Sequence, residues 1–456
     1  MITSLLLFKD IDKSMKIIII GGEAAGMSAA AKAKRIDPTA EIVVYEASEV
    51  ISFGACGLPY YIGDEFSDHN FMAEFTPAQF AEKGITVLTH HRVIQLNTEQ
   101  QQLTVEHQGE THTVNYDRLM IATGAKEVLP PIKGLDKRGV YSLRRMQDGL
   151  NIKTALADPL CHHVTIIGSG FIGLEVAEAM IHQGKTVRLI ERAKCLIPDA
   201  FDAEISQHIQ PELERAGVQI HLQESVCEII GDGHVTSIKT DKEIYTTNMV
   251  ICCTGVKPNT NFIAETGIER LANGAIIIDQ QGKTSIDNIW AAGDCATIWH
   301  AQLQQPAYIP LATGANKMGR LVGENIAGKN LSYDGTLGTS CVKILGLEAG
   351  RTGLSEREAQ QANIDYRTVY ISDKCHTNYC EGQSPLYIKL IYRADNKKLL
   401  GGQLIGNKGA VHRVDALAVA ISLGATTEQL GMMDFAYAPP FARTWDIMNV
   451  AGNVAK

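Results

Sequence analysis

Two glycine-rich loops about 147 residues apart, each lying between an apolar strand and a helix, constrain this chain more than any other feature. In the first, a strand-like Lys16 to Ile20 runs into Gly21-Gly22-Glu23-Ala24-Ala25-Gly26. An alanine-rich helical stretch to Arg35 follows, then a second strand, Glu41 to Tyr45, ending in Glu46. The second copy reads Val164 to Ile167, Gly168-Ser169-Gly170-Phe171-Ile172-Gly173, a helix through Gln183, strand Thr186 to Ile190, and Glu191. In such a unit the helix N-terminus offers free N–H groups to a pyrophosphate, and the acid meets a ribose hydroxyl. One copy alone reads as an ordinary strand-to-helix turn. Two copies, each with its acid, predict two dinucleotide sites. Glu23 stands where a middle glycine allows the closest approach to phosphate, so the first loop is the less regular. Glu191 favours a free 2′-hydroxyl and therefore NADH, while Arg192 and Lys194 leave room for NADPH.

Further turns fit the same plan. Ile121-Ala122-Thr123-Gly124 and Cys252-Cys253-Thr254-Gly255 each close an apolar strand and read as crossovers between domains. Trp290-Ala291-Ala292-Gly293-Asp294 ends another strand with a carboxylate placed to accept a hydroxyl. The helical Leu311-Ala312-Thr313-Gly314-Ala315-Asn316-Lys317 turns its N-terminus, and so a positive field, toward whatever binds there.

The 456 residues imply about three domains of ordinary size. A net charge of -9 argues against a nucleic-acid partner. Residues 1–14 read as an N-terminal extension whose Leu5-Leu6-Leu7-Phe8 is too short for a signal core, with Met15 a second candidate start; a cytoplasmic chain is expected. No stretch approaches the roughly 20 apolar residues of a membrane span. Ten cysteines are too dilute for a disulfide scaffold, so a reducing compartment is expected. Cys252 and Cys253 read as core residues. Cys375, His376 and Cys380 fall short of a four-ligand zinc set, and no metal is expected.

Cys56 stands apart, in Ser52-Phe53-Gly54-Ala55-Cys56-Gly57-Leu58-Pro59-Tyr60-Tyr61, with no further cysteine until Cys161. Lacking a near neighbour for an internal disulfide, its oxidised form must be a sulfenic acid or a mixed disulfide with a small thiol. The bland alternative is a buried small hydrophobe, but its position 10 residues past Glu46 speaks against that. Gly57 and Pro59 suggest a helix opening just after it, and a depressed thiol pKa is expected.

This order of glycine loop, isolated cysteine, Ala-Thr-Gly, second glycine loop and Gly293-Asp294 resembles the pyridine nucleotide-disulfide oxidoreductases, in their single-cysteine branch. That branch includes coenzyme A disulfide reductases, NADH oxidases, NADH peroxidases and persulfide reductases. The resemblance implies an α/β fold with two Rossmann-like dinucleotide-binding domains and a C-terminal α+β dimerisation domain. Residues 15–145 and 256–330 would bind one FAD per subunit, 146–255 would bind NADH or NADPH, and 331–456 would form a homodimer interface. It implies cofactor contacts at Gly21, Gly22, Ala24, Ala25, Gly26, Glu46, Val93, Ala122, Thr123, Gly124, Asp294, Leu311 and Ala312, and at Gly168, Gly170, Phe171, Ile172, Gly173, Glu175, Glu191 and Gly255. Phe171 would shield the flavin face and Glu175 orient the nicotinamide.

For the substrate it implies Ser28, Lys32 and Arg35 on one stripe of the first helix, Lys83 on a second helix, and Ser52 and Asn316; from spacing alone the cations read as a solvated face. Tyr379 and Tyr437 match tyrosines brought across the dimer to the redox cysteine, where interface packing is the bland alternative. The implied reaction is NAD(P)H-driven reduction of a low-molecular-weight disulfide, coenzyme A disulfide first. NADH oxidase or peroxidase and persulfide or polysulfide reductase are the enzymatic alternatives, and a flavin-bound redox-sensing dimer the non-enzymatic one. Several positions depart from the branch. Ala24 replaces the histidine of the peroxidases and oxidases, and Ala55, Asn316 and Trp445 replace polar residues of the coenzyme A reductases, although Arg443 lies near the last.

Overall fold

The computed structural model describes residues 14–456; the expected extension lies outside them except for its last residue. Two five-stranded parallel sheets share one plan. The first runs Ile289–Ala291, Arg118–Ile121, Lys16–Ile20, Glu41–Tyr45, Ile85–Leu88. The second runs Val140–Ser142, Met249–Cys252, His163–Ile167, Thr186–Glu191, Gln219–Leu222. Ile17, Ile18 and Ile19 are fully buried, as a parallel strand covered on both faces requires. The edge strands are exchanged along the chain. Val140–Ser142 precedes the second unit and closes it, whereas Ile289–Ala291 follows that unit and closes the first. Between them Ala125–Glu127 and Val256–Pro258 pair antiparallel, so the chain leaves and returns along one two-stranded ribbon.

The helix Ala24–Ile36 packs on Ala312–Ile326 with backbones nearly touching. A methyl at Gly319 would stand 2.4 Å from the Ala25 carbonyl oxygen, and one at Gly323 2.5 Å from that of Ala29. This contact carries the second helix well past the expected Lys317.

The C-terminal third is a five-stranded antiparallel sheet, Ser340–Ile344, Leu347–Gly353, Leu399–Gly406, Pro385–Arg393, Tyr366–Lys374, backed by the helix Ala410–Ser422. Four of its strands fall on runs that the sequence marks as strand-like, Thr339 to Leu345, Asp365 to Ser372, Leu386 to Tyr392 and Lys398 to Gly406. Leu347–Gly353 and the terminal helix Ile447–Val454 were not expected. Among the described residues, no helix is long and apolar enough to cross a membrane.

Candidate active site at Cys56

Each glycine loop is built around one carboxylate. Gly21, at φ +108°, lies so close to the neighbouring strand that a Cβ would stand 2.2 Å from the Ala122 oxygen; Gly168, at +99°, repeats this against Cys253 at 2.5 Å. Glu46 Oε2 accepts from the Gly22 N–H at 2.7 Å and Oε1 from that of Ser48 at 2.6 Å. Glu191 Oε2 likewise accepts from the Ser169 N–H at 2.9 Å and its hydroxyl at 2.8 Å, and Oε1 from the Ala193 N–H at 2.8 Å. Both acids were expected to meet ribose hydroxyls. The structure gives each a prior duty in holding its own loop, which leaves only the remaining lone pairs for a ribose.

The helices Ala24–Ile36, Phe171–His182 and Ala312–Ile326 begin without any side-chain cap, so their first N–H groups stay available to a ligand. Nothing lies within 4 Å of a Cβ built on Gly170, so the second loop is open where a pyrophosphate would approach. The Tyr308 hydroxyl and the Trp290 and Trp299 indole nitrogens are buried without partners. The uncapped helix starts and the open Gly170 fit two bound dinucleotides.

Cys56 lies in the single turn Ala55–Gly57, and the helix Leu58–Ile62 opens directly after it, as Pro59 suggested. The segment is tied at both ends. The Ser52 N–H donates to the Gly22 oxygen at 2.9 Å, and the Gly54 N–H to that of Met72 at 2.7 Å. Ser52 holds φ +50°, a conformation serine adopts at some cost, which points to a turn fixed by its surroundings. Cys56 is exposed as a residue, although the protein packed around its sulfur removes part of its hydration, and all ten cysteines are free.

The expected depression of the Cys56 pKa is not found. Burial of the sulfur pushes it above the ordinary thiol value, Glu175 adds to this, and Arg144 opposes both. Arg144 is the main residue that sequence reasoning missed. Its guanidinium donates to Asp294 Oδ2 at 3.0 Å, and it stands beside Glu23, whose carboxyl burial raises to about 6. The one available signal was the basic pair Arg144-Arg145 directly after the strand Val140–Ser142. Asp294, expected to accept a flavin hydroxyl, therefore meets this arginine first.

Tyr60, four residues past Cys56, was missed as well. Its hydroxyl donates to Glu175 Oε1 at 3.4 Å. Burial raises the Glu175 carboxyl to about 7, and burial with Glu175 raises the Tyr60 phenol to about 12. Phe171 is half-buried one turn before Glu175.

The substrate candidates separate into those the fold brings together and those it commits elsewhere. The Ser28 hydroxyl donates to Asn316 Oδ1 at 2.9 Å across the two packed helices. Lys32, expected to hold phosphate, is instead paired with Glu324 at 2.9 Å, both largely buried. Arg35 is exposed and donates through Nε to the Ala31 oxygen. The helix expected to carry Lys83 ends at Ala81, and the exposed lysine lies over the Phe75 ring at 4.7 Å and the Phe80 ring at 5.1 Å. Val93 buries its side chain in the strand Arg92–Asn97. Tyr379 and Tyr437, 58 residues apart, present exposed hydroxyls 3.5 Å from each other. The His376 ring is engaged by its own loop, Nδ1 with Cys375 Sγ at 2.9 Å and Nε2 facing the oxygens of Cys380 and Glu381.

Two uncapped glycine-loop units joined by a crossover ribbon, with a free thiol beside the first, define an oxidoreductase that uses FAD and NAD(P)H. The chain belongs to the pyridine nucleotide-disulphide oxidoreductase family, whose model matches residues 15–319, with the family's dimerisation domain matching 339–448. It is 36% identical over 442 residues to the NAD(P)H coenzyme A polysulfide/persulfide reductase of Pyrococcus horikoshii, covering 97% of this chain and 98% of that protein. It is 32% identical over 446 residues to the coenzyme A disulfide reductase of Staphylococcus aureus, covering 97% and 100%. A solved NAD-dependent persulfide reductase from A. fulgidus superimposes with TM-score 0.93 at 31% identity, over 96% of this chain and 83% of the other.

Proposed function

We propose that this chain forms a homodimeric NAD(P)H-dependent flavoprotein that reduces a low-molecular-weight disulfide, coenzyme A disulfide first, through Cys56. The observation that carries this reading is the free thiol of the exposed residue Cys56, tied by Ser52 to the first glycine loop. The likeness to coenzyme A enzymes over nearly the whole chain supports the substrate class.

Bound FAD and NAD(P)H supply a two-electron route from hydride to sulfur. The Gly21 loop, Glu46 and Asp294 hold the first, and the Gly168 loop and Glu191 the second. The Cys56 thiolate attacks one sulfur of the disulfide, the S–S bond breaks, and one thiolate leaves and takes up a proton. Cys56 keeps the other half as a mixed disulfide. Two electrons, originating in NAD(P)H, and a proton restore the Cys56 thiolate and release the second thiol. Arg144 favours the thiolate form, while Glu175, in its ionised form, disfavours it. Tyr379 and Tyr437 reach across the dimer and hand a proton to the leaving thiolate, and Ser28, Asn316, Arg35 and Lys83 receive the polar end of the substrate.

Mass spectrometry of the purified protein tests this. A coenzyme A increment on Cys56, together with loss of disulfide-dependent NADH oxidation in Cys56→Ser, is the expected outcome; undiminished reduction of coenzyme A disulfide by Cys56→Ser rejects it. A second reading, coenzyme A persulfide or polysulfide as substrate, is favoured by the names of the Pyrococcus and A. fulgidus relatives. Faster turnover with a persulfide than with the disulfide selects it.

A further inference from the structure

A fully buried lysine far along the chain from either glycine loop is connected to the second loop by hydrogen bonds and the short stretch of chain from Ile197 to Asp202. Lys389, on the strand Pro385–Arg393, has no exposed surface. Its ammonium meets Glu204 Oε2 at 2.8 Å and Asp202 Oδ2 at 3.3 Å, and is bonded to Glu356. Burial works against the charge, but Glu204 and Glu356 outweigh it and hold the lysine protonated. A cation in such a place is stable only while these partners stay in position. Asp202 is fixed further by the buried Gln403, which donates to its Oδ2 at 2.8 Å and accepts from its N–H at 2.9 Å.

Asp202 and Glu204 belong to the segment that follows the Glu191 strand. Within it Ile197 holds φ +45°, a region that a β-branched residue enters only at a cost, so the surrounding structure must impose it. The Ala200 N–H donates to the Ile197 oxygen at 3.2 Å, and Ala200 in turn accepts from Arg351 of the C-terminal sheet at 3.1 Å. In that conformation the Ile197 N–H points at Ser169, reaching its backbone oxygen at 3.2 Å and its hydroxyl at 3.1 Å. Ser169 is the middle residue of Gly168-Ser169-Gly170, and its N–H and hydroxyl both donate to Glu191. Each end of this chain of contacts is closed: the interface sheet grips Asp202 and Glu204, and the strained turn at Ile197 grips the dinucleotide loop.

We propose that Lys389 and Gln403 are positioning residues for NAD(P)H, fixing the Ser169–Glu191 pair from the C-terminal sheet through Asp202 and Ile197. The inference rests on assigning the second glycine loop to the nicotinamide dinucleotide. It makes the shape of that loop depend on a domain that does not itself contribute to the loop.

The test uses full-length FAD-loaded Lys389→Met and Gln403→Met, with NADH titrations, steady-state kinetics and hydrogen–deuterium exchange. Gln403→Met leaves the charge balance untouched and decides the matter if Lys389→Met does not fold. Expected are a threefold or greater rise in NADH Kd and KM, a kcat at saturating NADH within twofold of wild type, and faster exchange over 168–173 and 196–202 only. Lys389→Arg is expected to restore at least half of the lost affinity. Unchanged NADH affinity in folded Gln403→Met overturns the proposal, as does exchange that quickens equally in the strand Lys16–Ile20, which would mark general loosening. If NADH fails to protect 168–173 in the wild-type protein, the loop assignment itself falls and takes the proposal with it.

Discussion

The Tyr60 hydroxyl and the Glu175 carboxylate, 3.4 Å apart, join the helix that follows Cys56 to the helix that opens from the second glycine loop. The thiol and the second glycine loop therefore share one titrating group. Glu175 is uncharged below about pH 7 and charged above it.

Replacing that group moves the thiol. Ionised Glu175 raises the Cys56 pKa, second only to burial, so Glu175→Gln lets the thiolate form at lower pH. The pH profile of iodoacetamide alkylation at Cys56, read by mass spectrometry, shifts to lower pH in this variant. A profile that stays in place or moves upward contradicts the geometry.

The same carboxyl sets a stability slope. Its folded value is raised from 4.5 to about 7, so its contribution is fully present below pH 4.5 and is lost as pH rises through 7. Wild-type Tm is expected to fall between pH 5 and pH 8 by more than that of Glu175→Gln, measured by differential scanning calorimetry at matched ionic strength.

Two glycines of one loop separate binding from folding. A methyl at Gly173 would lie 2.1 Å from the Gly168 oxygen, so Gly173→Ala costs about 1–3 kcal/mol and lowers Tm. Gly170→Ala meets nothing within 4 Å. It keeps its Tm yet weakens NADH binding, because the new methyl occupies the open side of the loop; calorimetry and NADH titration give the two readouts.

Arg144 pairs with the Asp294 carboxylate and also acts on the Cys56 thiol. Arg144→Met leaves Asp294 without its 3.0 Å partner and removes the cation that opposes burial at Cys56. Lower FAD content in the absorbance spectrum and an alkylation profile displaced to higher pH are expected together. Either change without the other shows that Arg144 serves only one of the two groups.

The tyrosine pair is tested in the intact full-length protein. Tyr437→Phe removes one of two hydroxyls 3.5 Å apart and slows disulfide-dependent turnover, on the order of 10²-fold if the phenol is the proton donor. Sedimentation velocity is expected to show an unchanged dimer. Turnover equal to wild type assigns the ring to packing alone.

Local signals were readable and distant pairings were not. The strands Lys16–Ile20 and Glu41–Tyr45 follow directly from apolar runs bounded by glycine and an acid, and both glycine loops have the shape that their spacing implies. Leu347–Gly353 escaped because its glycines, Glu348 and Arg351 carry no alternation, yet it is sheltered as an interior strand between Ser340–Ile344 and Leu399–Gly406. Lys32 looked like a free cation on a helix stripe, and only the fold shows that Glu324 already neutralises it. Arg144 and Asp294 stand 150 residues apart in sequence, a separation at which no spacing rule operates. The acidity of Cys56 was misjudged for a related reason: burial of its sulfur, the largest cause, and the added effect of Glu175 exist only once the chain is folded.

The antiparallel ribbon of Ala125–Glu127 with Val256–Pro258 places the departure and return of the middle unit side by side. A piece of chain whose two ends emerge together can be cut out and replaced as a cassette without moving the rest. Exchange of this segment for its counterpart from a relative is thus a graft with two adjacent seams. The join most exposed to error is the Lys389 cluster, where host carboxylate and donor carboxylates must still find the same lysine.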